Sequence, residues 1–400
     1  MIKKTVMLAI GILLCSSSAQ AEAPKTKKAV KKEAYQAVWQ RIYGGKEDDI
    51  AYGVVALENG DSAIVGTCKS YGAQRTDICL LRMSANGDMK WRLWLGGKKK
   101  DEGKAVARAA DGSILVLGRS KSFGKSKYDY DLYVAKISLD GKKIWETTLG
   151  GKQDEYAGGI AGTDDGGVLL VGATESFSKR HDKDIYIAKL SKTGKLLSAH
   201  TVGGKKEDVA TGLTRTRDGK MVLVGYREVA RNGDSDFLIM QMDQNGKQRW
   251  VKTFGGPYED KLMGVTATID NGIVAIGSTR SYGSSQSDLT VMKIDAKGKT
   301  IWHKIYGFKY YEYGNAVATT RDGGFMLVGG TNTLGKGNHS VYALALDKKG
   351  ELIWSHVYGG ENRDVGYGVA RMSDGSMMVV GESNSFKRAK NFYIIKLRKR

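Results

Sequence analysis

A strand-like run ending in Gly-Gly recurs along this 400-residue chain, with its first glycine at 44, 96, 150, 203, 255, 307 and 359. A period of 52 to 54 residues constrains the fold more than any other feature, because one such unit cannot bury its own apolar face and must stack on its neighbours. Other landmarks return with it. An acid follows five residues after the first glycine (Asp49, Asp101, Glu155, Asp208, Asp260, Glu312, Asp364), and a small residue nine after it (Gly53, Ala105, Gly159, Gly212, Gly264, Ala316, Gly368). A turn dipeptide comes next, as in Asp165-Gly166, and then a glycine closes an apolar run (Gly66, Gly118, Gly172, Gly225, Gly277, Gly329, Gly381). A tryptophan stands five residues before the Gly-Gly position at 39, 91, 145, 250, 302 and 354, with Ser198 in the remaining unit.

Each unit reads as four short strands. Runs such as Val168–Gly172 and Ile185–Leu190 are β-branched, apolar, too short for helices and flanked by turn residues. Tight turns at Asn86-Gly87, Asp140-Gly141 and Asn245-Gly246 join the third strand to the fourth. Composition agrees: 53 glycines are about twice the usual roughly 7%, and only 2 prolines leave the strands their backbone donors. Collagen, proline-rich linkers and wholesale disorder are excluded. Residues 36–43 supply a fourth strand without three before it, and residues 359–397 supply three strands without a fourth. The two fragments make one blade. The expected fold is all-β, a seven-bladed β-propeller whose N-terminal strand closes the C-terminal blade and removes the exposed edges of an open array.

The repeat resembles that of bacterial exported seven-bladed propeller families, running Trp, Gly-Gly, Asp, Asp-Gly-Gly, Val-Gly-x-Thr, Asp, Lys-Leu-Asp, Gly. Blade three carries it in Gly150-Gly151, Asp165-Gly166-Gly167, Val171-Gly172-Ala173-Thr174 and Asp184. Blade six departs from it at Phe308 and Ser340. The fragment Leu346–Trp354 also resembles the tryptophan-docking repeat of quinoproteins and of a periplasmic scaffold for outer-membrane barrel assembly, families that usually have eight blades. These resemblances imply a fold and leave activity open.

Ahead of the repeats, Met1 to Lys4 are basic, Thr5 to Cys15 are largely apolar, and Ala19-Gln20-Ala21 has the small-x-small form of a cleavage site. This predicts a signal peptide over 1–21 cut after Ala21, a lysine-rich tether over 22–35, the propeller over 36–400, and a periplasmic or secreted location without a transmembrane segment in the mature chain. Ile12-Leu13-Leu14-Cys15 is close to a lipobox, but Leu14 is not small. Export permits a disulfide between Cys68 and Cys79, which counting back from the hairpin loop places roughly opposite each other. A net charge of +20 suits an acidic partner or an anionic envelope, and nucleic acid fits an exported chain poorly.

The repeated acids are read as structural, because an asymmetric substrate needs one site and not seven copies. Paired carboxylates such as Asp129 with Asp131, Asp182 with Asp184 and Asp234 with Asp236 fall short of the six to eight oxygens calcium takes. The five histidines lack ligand spacing, and no nucleophile elbow or phosphate loop is present. No catalytic, cofactor or metal residue is assigned. Departures from the repeat are better clues: Lys98-Lys99-Lys100, then Lys179 and Arg180, then Phe308-Lys309-Tyr310-Tyr311. The expectation is a non-enzymatic, monomeric binding or scaffold propeller presenting these loops to an envelope protein or anionic polymer. The alternatives are a lectin-like propeller using the loop aromatics Tyr71, Phe123, Phe177, Tyr282 and Phe386, or a propeller enzyme such as a quinoprotein-like oxidoreductase or a lyase.

Overall fold

The computed structural model describes residues 34–70, 75–125, 128–180, 182–229, 234–283 and 286–400. The segments read as signal peptide, the bulk of the tether, Cys15 and Tyr71 lie outside the described residues. Among the described residues, twenty-eight strands, β1 to β28 in chain order, form seven four-stranded antiparallel sheets. Blade one is β2 (Asp49–Ala56), β3 (Ser62–Cys68), β4 (Asp77–Met83) and β5 (Met89–Leu95), ordered from the channel outward. The next five blades repeat that order. Blade seven is β26 (Asp364–Arg371), β27 (Met377–Ser383), β28 (Asn391–Lys399) and, arriving from the other end of the chain, β1 (Tyr35–Tyr43).

Second and third strands are buried on both faces because each sheet has a blade on either side. Ile64, Val65, Leu115, Leu117, Leu169 and Val171 have no solvent exposure. Such strands read as continuous apolar runs, unlike the alternating pattern of a one-sided sheet. First strands differ. Each carries a β-bulge at its fourth residue, where the register skips from Ala51 to Gly53, from Gly103 to Ala105, and likewise in all seven blades. The bulge presses a carbonyl onto the second strand, so a Cβ on Gly66 would lie 2.1 Å from the Ile50 oxygen. This contact accounts for the glycine that closes every second strand.

The repeated acids act structurally. In every blade the acid accepts a hydrogen bond from the amide of the residue after the first glycine, at 2.8 Å from Gly97 to Asp101 and 2.9 Å from Gly204 to Asp208. Phe308 serves as well as glycine there, because the bond uses only its amide, 2.8 Å from Glu312.

Tryptophans join the blades. The indole of Trp91 donates to the Leu139 carbonyl at 2.9 Å and that of Trp145 to Lys192 at 3.0 Å, each lying over the turn glycine of the next blade. Trp354 has no such turn to cover, because blade seven is closed by β1. It packs instead against Tyr35 at 5.6 Å with the rings tilted by 51°, and β1 begins one residue inside the segment assigned to the tether. At the blade three–four seam, where Ser198 replaces the tryptophan, the blade-four turn packs directly on blade three. A Cβ on Gly246 would lie 2.8 Å from Ile187 and 3.3 Å from His200.

Cys68 and Cys79 are bonded, with Cα atoms 5.9 Å apart. They are not directly opposite. Cys68 pairs with Asp77 and Cys79 with Gly66, so the bridge crosses the ladder diagonally.

Candidate functional site: the mouth of the central channel

A bulged residue leaves the ladder and is free to turn its side chain off the sheet. Seven bulges therefore place Tyr52, Lys104, Gly158, Thr211, Met263, Asn315 and Tyr367 around one bore, which encloses about 890 Å³ counting the solvent open to it. The residue on its C-terminal side is always glycine or alanine, so the channel wall stays open beneath this ring. Only blades seven and one, through Tyr367 and Tyr52, share a side chain here. Chemistry varies where the scaffold repeats.

Above this ring lies a second set, formed where the residue after each repeated acid pairs with the residue after the second-strand glycine. Glu102 faces Arg119, Tyr156 faces Ala173, Val209 faces Tyr226, Lys261 faces Ser278 and Val365 faces Glu382. Tyr313 faces Gly330, where a Cβ would sit 2.5 Å from the tyrosine ring. These strand ends meet the links between blades and the second-to-third-strand loops, so the set opens onto the loop face.

Two polar clusters dominate the mouth. In the first, the Arg119 guanidinium donates to Glu102 at 2.7 and 2.9 Å and lies 4.1 Å over the Tyr130 ring, whose hydroxyl donates to Glu102 at 2.7 Å. It continues into blade three through Tyr156, whose hydroxyl donates to Glu175 at 2.8 Å and whose ring lies 5.0 Å from the Lys183 ammonium. On the far side of blade one, Glu382 accepts from Arg363 at 2.8 Å and from the Tyr367 hydroxyl at 3.3 Å, with Lys390 at 3.4 Å. Tyr52, between the two clusters, packs on Tyr367 with ring centroids 5.1 Å apart. Tyr226 extends the ring, with the Lys261 ammonium 4.7 Å over its face.

Burial sets the electrostatics. It pushes the Tyr52 and Tyr226 hydroxyls up to about 12, helped at Tyr52 by Glu382 and Glu102 and at Tyr226 by Glu207 and Glu259. Both stay neutral donors at any physiological pH. Lys104 is exposed to the water in the bore but walled by protein all round, and this desolvation, with the nearby Arg119 cation, holds its ammonium below the usual lysine range. A surface rich in tyrosine and arginine, apolar in its rings and wet at their tips, is suited to gripping a ligand.

The residues singled out from sequence lie outside this ring. Lys98, Lys99 and Lys100 lie on the link into blade two, and Lys179 and Arg180 are exposed in the blade-three loop. Phe308, Tyr310 and Tyr311 are 48, 45 and 46% exposed on the blade-six link, beside exposed Lys309. Phe123, Phe177 and Phe386 each pack against a third-strand tyrosine, Tyr133, Tyr186 and Tyr393, at 5.6 to 5.8 Å, stacked at Phe177 and tilted at the other two. They are plugs on one side and 44 to 53% exposed in total. Tyr282 sits edge-on to His303 at 5.8 Å. Blade order spreads these groups around the loop face instead of uniting them at one point. Sequence reasoning missed the channel ring, although a signal was present: the position before each repeated small residue never settles on one chemistry.

No protein-family model matches the chain. An alignment of 162 positions that covers 35% of the chain is 24% identical to the regulatory protein FlaEY of Caulobacter vibrioides and spans 17% of that protein's length. A crystal structure of a Dyadobacter fermentans protein of unknown function superposes on 92% of the chain and 100% of its own length, with TM-score 0.55 and 10% identity. The WD40 domain of Neurospora crassa Pan2 superposes with TM-score 0.53 and 12% identity, over 88% of this chain and 97% of its own. Domains 1–2 of Drosophila semaphorin 1b give 0.52 and 10%, over 92% and 87%. Identities this low show shared architecture alone: the chain is a seven-bladed β-propeller of four-stranded blades.

Proposed function

We propose that the protein is an exported binding or scaffold propeller that holds a segment of a partner protein over the mouth of its central channel. One observation carries the reading: in a ring built by repetition, the positions whose side chains vary from blade to blade gather at the mouth, where they hold Tyr52, Lys104, Tyr156, Tyr226, Tyr313 and Tyr367. Tyrosine-rich, partly desolvated centres ringed by charge are where interface energy concentrates. In this reading Lys98, Lys99, Lys100, Lys179, Arg180 and Phe308 to Tyr311 form the outer contact zone, steering a partner inward. The test is co-purification of partners with Tyr226→Ala and Tyr367→Ala variants from the native envelope. Loss of a partner at unchanged melting temperature supports the reading; retention by both variants overturns it.

A second reading has one observation in its favour. Phe123, Phe177 and Phe386 are braced from below and open above, the arrangement of a sugar-stacking platform. A glycan array on the wild type and a Phe123→Ala/Phe177→Ala variant distinguishes it, because glycan binding that survives both changes would exclude these rings.

A further inference from the structure

We infer that the segment held at the mouth is acidic and that one of its carboxylates enters the bore to meet Lys104, an inference that rests on the binding role proposed above. Lys104 is the only charged member of the bulge ring; the others are two tyrosines, a glycine, a threonine, a methionine and an asparagine. The remaining cations around the mouth are occupied. Arg119 is bound to Glu102, Lys183 to Glu207 at 2.8 Å, Lys206 to Glu228 at 3.3 Å, Lys261 to Glu259 at 2.7 Å, and Arg363 and Lys390 to Glu382. Among the described residues Lys104 has no carboxylate partner, only the face of Tyr52 at 5.2 Å. The charge acting on it is another cation, Arg119. Each of those rim acids is committed to a rim base, so none competes for it.

An uncompensated ammonium in a narrow bore with protein walls focuses a positive potential along the channel axis. A carboxylate arriving there gains a charge-assisted hydrogen bond in a partly desolvated setting. The Tyr52 hydroxyl, kept protonated by burial, offers a second donor beside it. The turn of the first strand that forms the bulge places this cation inside the ring, whereas ordinary alternation would turn it into the blade seam.

The test uses a fluorescein-labelled oligo-glutamate peptide and the purified full chain, read by anisotropy at low ionic strength. Lys104→Met keeps the side-chain stem and removes the charge; Lys104→Arg keeps the charge; Lys195→Met lies on the opposite face as a control. The expected result is about a tenfold weaker affinity for Lys104→Met, with Lys104→Arg and Lys195→Met near wild type. Equal affinity of Lys104→Met and wild type overturns the inference, as does Lys104-dependent binding of inorganic polyphosphate in the absence of peptide binding. If the mouth tyrosine variants lose a partner while Lys104→Met does not, the binding role stands and this inference falls. If those tyrosine variants keep every partner, the role itself falls.

Discussion

Between blades, carboxyl groups meet. At the junction of blades two and three, Asp131 and Glu155 are both within 1% of complete burial, and a Cβ built on Gly150 would lie 2.1 Å from one and 2.3 Å from the other. Burial, the largest effect, acts with the Asp131 charge against the Ser176 and Thr174 hydroxyls and pushes Glu155 up to about 7. Two carboxylates in such a place hold one proton between them. The sign follows. An unfolded glutamate ionises near pH 4.5, so between about 4.5 and 7 the folded chain binds the extra proton and stability falls as pH rises. A shift of this size bounds the loss at about 3 kcal/mol, and relaxation of the junction on ionisation brings it to roughly 1–2 kcal/mol. The closing junction already contains the remedy, because Asn391 stands opposite Asp49 where blade two has Asp131. Asp131→Asn should copy it. Chemical denaturation of both proteins from pH 4.5 to 7.5 should show a variant equal to wild type or weaker at the acid end and roughly 1–2 kcal/mol more stable at pH 7 and above. Parallel stability curves would refute the shared proton. Asp77, Asp184, Asp208 and Asp236 are pushed up in the same way, by burial first, so the variant keeps a residual slope and the difference between curves is the quantity to read.

Three further outcomes concern the scaffold. Trp145→Ala removes a half-buried indole and its bond to Lys192, at a cost of about 2–3 kcal/mol in equilibrium unfolding, whereas Ser198→Trp should gain nothing because Ile187 and His200 already fill that seam. Reducing the Cys68–Cys79 bridge, which spans 11 residues, should lower stability by about 3 kcal/mol on the chain-entropy estimate, read as a drop in denaturation midpoint with and without reductant.

Repetition made the architecture legible and hid the site. The Gly-Gly period, the four strands per unit and the split blade each follow from residues that recur, and the observed register matches them down to β1 beside β28. Trp39 and its equivalents were readable as blade-to-blade contacts because a large ring at a fixed place in every outer strand has few other uses. The channel ring was not, because a bulge is a departure from strand alternation that the side chain itself does not announce: Tyr52, Lys104 and Asn315 share no chemistry, only a place before a small residue. The diagonal offset of Cys68 and Cys79 escaped for a related reason, since counting from a loop fixes a strand pair but not its register to one residue. The loop clusters at Lys98 to Lys100 and Phe308 to Tyr311 stood out by composition, yet only the blade order shows how far each lies from the channel.

The central claim is that partners contact the propeller at its channel mouth, and radial photocrosslinking tests it most directly. A photoreactive residue is placed at Tyr226 in the mouth, at Tyr310 on the exposed blade-six link, and at Ile144, which is 53% exposed on an outer strand. Each chain is then irradiated in its native envelope. A discrete crosslinked product is expected in high yield from Tyr226, in lower yield from Tyr310 and not at all from Ile144. Equal yields at the three positions, or a product from Ile144 alone, would contradict it.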